Sequence, residues 1–123
     1  MTIGAVDAYI AAQTPAFAAA LTALRARLRI RRPDHIETIS YAMPGFRQPG
    51  SKGKMVVGYA AFTHHLGLYP HSGNIIHRID CAPFRTSRSG ALFTPDTRLP
   101  DALLTTILTA RQAEIAAGRD TKV

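Results

Sequence analysis

The sequence has 123 residues, 46% of them hydrophobic, with a net charge of +7 and a pI near 10.3. This length fits one domain over residues 1–123, and no apolar run approaches the roughly 20 residues that cross a bilayer, which argues against a second domain and against a membrane span. The basic charge favours phosphates, nucleic acid or acidic partners without selecting among them.

The N-terminal segment predicts a short helix over residues 3–12, because Val6 and Ile10 lie one helical turn apart. A basic leader is missing here, and Asp7 interrupts the stretch that a signal peptide would keep apolar. We therefore expect a cytoplasmic protein.

A longer second helix is predicted from Pro15, which suits a first helical turn, with Thr14 as the capping residue. Pro33 ends this helix, because proline cannot continue the hydrogen-bond ladder. Its apolar residues recur at helical spacing and line one face for a core: Phe17, Leu21, Leu24 and Leu28.

The last turns of the same helix carry five arginines. Arg25, Arg29 and Arg32 form one stripe, and Arg27 and Arg31 flank it. Their position suits the negative end of the helix dipole, which is the interpretation we favour. A contact with nucleic acid is the alternative.

The block ETISYAMPGF, residues 37–46, predicts a strand that begins at Glu37 and a turn at Pro44–Gly45. Its alternation places Ile39, Tyr41 and Met43 on one side, and Thr38, Ser40 and Ala42 on the other. Two interpretations remain open. The block is a half-buried strand that fills the core, or its side chains line a pocket with a few polar groups.

Two further strands are predicted within residues 54–63 and 65–70, joined by a tight turn, and a last short strand within residues 91–95. Ser72 can cap a short helix that holds Ile75, Ile76 and Ile79, and residues 81–90 read as an irregular connection. The only cysteine, Cys81, excludes an internal disulfide, and we expect it to be a small buried hydrophobe.

A final helix opens at Pro100 and ends at Gly118. Its buried stripe is predicted to be Leu104, Ile107, Leu108 and Ile115. Helices at both ends of an antiparallel sheet of about five strands make an α+β domain.

Four blocks resemble the YdhG-like family of bacterial domains. ETISYAMPGF is similar to the family's E-T-I-S-Y-x-M-P-x-F, and AAFTHHLGLYP (residues 60–70) is similar to A-A-F-x-x-H-I-G-L-Y-P, with Leu66 in place of Ile. FRTSRSGALFTP (residues 84–95) resembles Y-K-T-S-K-G-x-I-x-F-P, with Ser89 and Thr94 as additions. LPDALLTTILTAR (residues 99–111) matches the fourth block, together with the start VDAYIAAQTP.

The resemblance implies an α+β domain similar to the helix–sheet–helix sandwich of frataxin and, for some members, a role as an intracellular iron chaperone. Frataxin-type iron binding uses a ridge of Asp and Glu, because hard iron prefers several oxygen ligands. This sequence has no acid between Asp7 and Asp34, and its long helix carries arginines instead. An acidic-ridge mechanism is therefore not expected, and iron rests on the resemblance alone.

Histidine offers a different route to a metal. Neighbouring residues on a strand point to opposite faces, so His64 and His65 cannot easily hold one ion. His65 paired with His71 or His77 remains an alternative, and the sequence leaves the metal ligands unknown. No cofactor is predicted.

The loop that contains Arg85 and Arg88 combines two fixed charges with hydroxyl groups and suits a phosphate or carboxylate. An exposed, solvated turn is the alternative interpretation. If the loop folds over the tyrosines, one ligand site would contain Glu37, Ser40, Tyr41, Met43, Phe46, Phe62, Tyr69, Arg85, Thr86, Ser87 and Arg88.

No nucleophile elbow, phosphate-binding glycine loop, CxxC pair or HExxH motif occurs, so an enzyme is not expected. The function predicted is a non-enzymatic binding domain for a small anionic ligand or a protein partner. An iron chaperone is the first alternative. A basic module that binds nucleic acid is the second and is not favoured.

Overall fold

A computed structural model describes residues 4–118. This range contains three α-helices, five strands and a short 3-10 helix. In chain order the elements are α1 (Ala5–Ala11), α2 (Pro15–Arg31), β1 (Ile36–Ser40), β2 (Met43–Arg47), β3 (Met55–Ala61), β4 (Leu66–Tyr69), the 3-10 helix Ile76–Arg78, β5 (Ala91–Phe93) and α3 (Asp101–Ala116). The predicted α+β class is confirmed, and Ile3 lies outside the described residues.

The five strands form one antiparallel meander in the order β1-β2-β3-β4-β5. Ser40 pairs with Met43 across the first hairpin, and Leu66 pairs with Phe93 at the far edge. The register shifts between Phe46 and Arg47, which pair with Val57 and Met55, so β3 carries one extra residue, Val56, as in a β-bulge.

The register assigns side chains to the two sides of the sheet, because paired residues share a side. Glu37, Phe46 and Val57 share one side, and α2 lies over it, since the Arg29 guanidinium is 5.4 Å from the centroid of the Phe46 ring. We call the opposite side the outer face. It carries the paired row Thr38, Gly45, Gly58 and Tyr69.

The core joins the apolar stripes of α2 and α3 to the inner side of the sheet. Its helical members include Leu21, Leu24, Leu28, Leu104, Ile107 and Leu108, all as predicted. Phe17 and Ile115 pack against it only in part. Cys81 is buried at the same core, and its burial raises the pKa of its thiol, which agrees with a small hydrophobe rather than a thiolate.

Two helix ends test the capping predictions. Gly118 has a φ of 72° just beyond α3, so the predicted stop is confirmed. Thr14 has the extended backbone of a cap before Pro15, but its hydroxyl makes no capping hydrogen bond, and the prediction of a side-chain cap is wrong. No helix within residues 4–118 is long and apolar enough to cross a bilayer.

The predicted turn at Pro44–Gly45 is wrong, because both residues lie inside β2. The chain turns instead at Tyr41 and Ala42, whose φ angles of 52° and 61° suit a two-residue hairpin. Pro44 lies opposite Ile39, before β2 begins to pair with β3. Gly45 is needed for close packing rather than for turning, because a Cβ there would collide with the Val57 carbonyl oxygen.

Ion pairs fix α2 against α1 and β1. The Arg25 guanidinium donates to the Asp7 carboxylate at 2.6 Å and to both Glu37 oxygens at 2.6 and 2.7 Å. Arg29 donates to the same Glu37 carboxylate at 3.0 Å. Glu37 therefore neutralises two arginines under the helix and is a structural residue.

A second group of ion pairs joins α2 to α3. Arg27 contacts the Asp101 carboxylate at 2.7 Å and also donates to the Leu99 carbonyl oxygen, and Arg31 reaches Asp101 at 3.1 Å. The helix-dipole interpretation of the α2 arginines did not include these carboxylate partners. Four of the five cations hold neighbouring elements together.

Candidate functional site

A cavity of about 400 Å³ opens beside the first hairpin. Ser72 and Gly73 complete a lining that otherwise combines apolar, aromatic and basic side chains, namely Tyr41, Met43, Tyr69, His71, Arg88 and Ser89. We call it the tyrosine cavity. Its volume lies in the range of small-molecule sites, and its mixture of aromatic walls with a few polar groups is typical of them.

Two glycines leave space for the rings of His71 and Tyr69. A Cβ on Gly58 would lie 2.7 Å from His71 Nε2, and a Cβ on Gly90 would collide with carbon atoms of the Tyr69 ring. Each ring therefore occupies space that a larger residue would take. The cavity wall depends on these missing side chains.

Backbone strain concentrates at this cavity. Within residues 4–118, the non-glycine residues with positive φ are Tyr41 at 52°, Ala42 at 61° and His71 at 56°. Such conformations cost on the order of 1–3 kcal/mol each and cluster at functional sites. The Tyr41 side chain is 85% exposed, so burial returns little of that cost. The fold holds an exposed ring in a strained position at the mouth of the cavity.

His71 forms a neutral wall. Burial, with a smaller effect from the charge of Arg111, lowers the pKa of His71 to about 4. Its Nε2 is buried and has no hydrogen-bond partner among the described residues. The ring lies 6.1 Å from the Tyr41 ring, centroid to centroid. At neutral pH the cavity therefore gains no positive charge from this imidazole.

A buried polar network fixes the wall at Ser72. The Ser72 hydroxyl donates to the Glu114 carboxylate at 3.0 Å and accepts a bond from the Asn74 amide at 3.1 Å. Arg111 donates to Glu114 at 2.8 Å and to the Met55 carbonyl oxygen at 3.0 Å. These bonds tie the turn after β4 to both α3 and β3.

Sequence reasoning missed this network. Arg111 and Glu114 are 3% and 4% exposed, although opposite charges three residues apart on a helix usually mark a solvated face. The available signal was position, because both residues continue the buried stripe that contains Ile107 and Leu108.

Arg88 supplies the positive charge of the tyrosine cavity. It lies on the segment 82–90, which precedes β5, and it is exposed. It makes no ion pair with any residue between 4 and 118, unlike the arginines of α2. A guanidinium in this position can bind a carboxylate or phosphate in two-point geometry.

The tyrosine cavity brings together four of the predicted site residues, Tyr41, Met43, Tyr69 and Arg88. Arg85 lines a different cavity, so the two arginines do not form one basic rim. The site prediction also omitted His71, which the glycine at position 58 and the left-handed backbone place in the wall.

The remaining predicted residues lie elsewhere. Phe46 is 0% exposed and belongs to the core, so its assignment to a pocket is wrong. Glu37 does not line the tyrosine cavity; it lines a separate cavity beside α1 and β1, where it pairs with Arg25. Phe62 stacks on His65 and meets the edge of Tyr69 beside the cavity. Ser40, Thr86 and Ser87 are not part of the lining. Ser40 closes the hairpin, Thr86 forms an isolated bridge with Ala91, and Ser87 bonds to Gly90.

The described part of the chain contains no group of three or more His, Cys, Asp or Glu side chains arranged to hold a metal ion. His65 and His71 lie in different settings, the first stacked on Phe62 and the second beside Tyr41.

Comparisons with known proteins agree with this fold. No family profile matches the sequence, and no curated protein matches it. Among solved structures, a protein of the DUF1801 family, YdhG from Bacillus subtilis, superposes with a TM-score of 0.73 at 15% identity, over 89% of each chain. The expected likeness to YdhG is confirmed at the level of the fold.

Proposed function

We propose that this chain, which has the fold of YdhG, is a binding domain that holds a small anionic ligand in the tyrosine cavity. The ligand pairs its charge with Arg88 and rests an apolar or aromatic body against Tyr41 and Tyr69. Binding rather than catalysis is proposed, because the cavity offers a neutral histidine and a fixed cation but no paired acid and base.

One observation carries the proposal. Tyr41 and His71 both adopt left-handed backbone conformations, and both side chains line the same cavity. A strained and exposed tyrosine contributes little to the core, and contact with a ligand would give its side chain a role. Aromatic faces that stay accessible beside a cation suit a planar anion.

Isothermal titration calorimetry with phenyl phosphate tests the proposal. Arg88→Gln is expected to weaken binding about 10-fold to 100-fold, because it removes charge-assisted hydrogen bonds. Arg85→Gln is the matched control, since it removes the same charge from the same segment but from another cavity. Equal affinities of the wild type and Arg88→Gln, or no binding by the wild type, would reject the proposal.

The iron-chaperone alternative stays a prediction. The acidic side chains around α1, β1 and α3 that an iron ion would need are engaged with arginines, as in the pairs of Asp7 and Glu37 with Arg25. Iron binding would have to break those pairs. Metal retained after purification, and lost on substitution of the histidines or acids, would support it.

The nucleic-acid alternative also stays a prediction. It drew on the arginines of α2, of which Arg25, Arg27, Arg29 and Arg31 have carboxylate partners. Arg85 and Arg88 remain for phosphate contacts. Copurifying absorbance at 260 nm and a steep dependence of affinity on salt would favour this function over a small ligand.

A further inference from the structure

A second cavity, of about 550 Å³, is lined by the first part of the segment 82–90. We call it the phenylalanine cavity, and it is defined by Phe84, Arg85, Leu92, Phe93, Thr94 and Thr97. His64, His65 and Pro83 border it. The segment thus gives Arg85 to one cavity and Arg88 to the other.

The walls of the phenylalanine cavity are mostly apolar and well fixed. Phe93 is 4% exposed and sits in β5, where it pairs with Leu66, and Phe84 packs against the same core. Leu92, which precedes Phe93 in β5, is half-buried and also lines the cavity. An apolar body entering here would bury its surface against side chains that the core already holds in place.

The hydroxyl groups at the rim are already bonded to each other. Thr94 and Thr97 lie 2.7 Å apart, oxygen to oxygen, and the Thr94 amide donates to the Thr97 hydroxyl at 3.0 Å. The two residues also form an isolated β-bridge. The hydroxyl groups of this turn therefore do not need hydrogen bonds from a ligand.

Arg85 is the fixed charge of this cavity. Its carbonyl oxygen accepts a hydrogen bond from the Leu92 amide at 2.8 Å, which holds its backbone beside β5. Its side chain is exposed and makes no ion pair with any other residue in the described range. A lone guanidinium beside apolar walls is complementary to a ligand with one carboxylate and a hydrocarbon body.

We propose that the phenylalanine cavity binds a medium-chain aliphatic monocarboxylate, with its chain against Phe84, Leu92 and Phe93 and its carboxylate paired with Arg85. This site is separate from the tyrosine cavity and does not depend on the function proposed there. A single carboxylate matches the single guanidinium, and the cavity volume accommodates a flexible chain.

The test is a titration with decanoate, below its micelle concentration, of the wild type, Arg85→Gln and the matched control Arg88→Gln. Both arginines are exposed on one segment, so both variants are expected to fold. Decanoate should bind the wild type and Arg88→Gln equally and Arg85→Gln about 10-fold more weakly. Decan-1-ol, which has the same chain without the charge, should bind all three alike.

The position of binding is read from amide chemical shifts in the same titration. The proposal requires the largest changes at residues 83–85 and 92–97. It is overturned if decanoate does not bind saturably, if Arg85→Gln binds it as well as the wild type, or if the changes fall at residues 41–43 and 69–73. Phenyl phosphate binding to Arg85→Gln reports separately on the tyrosine cavity, so either proposal can fail alone.

Discussion

The imidazole of His71 occupies the space above Gly58 that a side chain would fill, since a Cβ there would lie 2.7 Å from Nε2 and 3.3 Å from the Pro44 carbonyl oxygen. Gly58→Ala is therefore expected to push the ring away from the sheet. We predict a loss of about 1–3 kcal/mol in the free energy of unfolding, measured by urea denaturation, together with weaker binding of phenyl phosphate.

Gly73→Ala is the control for that substitution. Gly73 lines the same cavity, but a Cβ there would meet nothing within 4 Å. Its stability should stay within about 0.5 kcal/mol of the wild type. Equal losses in the two variants would contradict the role assigned to the space above Gly58.

The strained hairpin gives a prediction in which stability and binding move in opposite directions. Asn tolerates a left-handed conformation better than Tyr, so Tyr41→Asn is expected to raise the free energy of unfolding by about 0.5–1 kcal/mol. The same change removes the exposed ring and should reduce the affinity for phenyl phosphate. Thermal denaturation and calorimetry on one preparation measure both effects.

Ala42→Gly is the matched comparison, because it relieves strain in the same turn and leaves the Tyr41 ring in place. It should stabilise the protein and keep the affinity. If Tyr41→Asn binds as tightly as Ala42→Gly, the tyrosine is not a ligand contact.

Glu37 is predicted to contribute to stability and not to ligand binding. Its side chain is 12% exposed and accepts hydrogen bonds from Arg25 and Arg29, so Glu37→Gln leaves two guanidinium groups poorly paired. We expect a loss of about 2 kcal/mol in chemical denaturation, with unchanged affinity for phenyl phosphate. Asp101→Asn, at an exposed ion pair, should cost less. If Glu37→Gln lowered the affinity for phenyl phosphate without lowering stability, Glu37 would instead be a residue of the ligand site.

The buried imidazole of His71 is expected to make the free energy of unfolding fall at acid pH. Its pKa is about 4 in the folded protein against 6.5 in the unfolded chain, so the unfolded chain binds the proton more tightly between these values. The contribution of His71 to stability therefore falls as the pH drops from about 6.5 to about 4, by roughly 1–2 kcal/mol once its partial exposure is allowed for.

His71→Asn removes this titration and keeps a residue that tolerates the φ of 56°. The free energy of unfolding should then change less between pH 6.5 and 4 than in the wild type. His77→Asn, at an exposed position, controls for the loss of a histidine. If His71→Asn and the wild type show the same dependence of stability on pH, burial does not lower the pKa of His71.

The sequence predicted elements that depend on long apolar patterns. The stripe of α2 at Leu21, Leu24 and Leu28, the strands β1, β3, β4 and β5 and the stop at Gly118 all occur in the structure as expected, whereas β2 lies where the sequence predicted a turn. These features are local, because helical spacing, strand alternation and a left-handed glycine each act within a few residues.

The sequence did not predict features that depend on register and on distant partners. Pro44–Gly45 carries the residues of a turn, yet pairing of Ser40 with Met43 placed the turn at Tyr41–Ala42. Likewise the carboxylate partner of Arg27, Asp101, lies 74 residues away along the chain, and Ser72 lies 42 residues from its partner Glu114. No local pattern shows that His71, in the turn after β4, lies over Gly58 of β3.

The most direct test of the tyrosine cavity as a ligand site is an amide NMR titration of the wild type with phenyl phosphate. We predict saturable shift changes concentrated at residues 41–43, 69–73 and 88–89, and their loss in Arg88→Gln. Changes confined to residues 83–85 and 92–97, changes spread along the arginines of α2, or no changes at millimolar ligand would contradict the account.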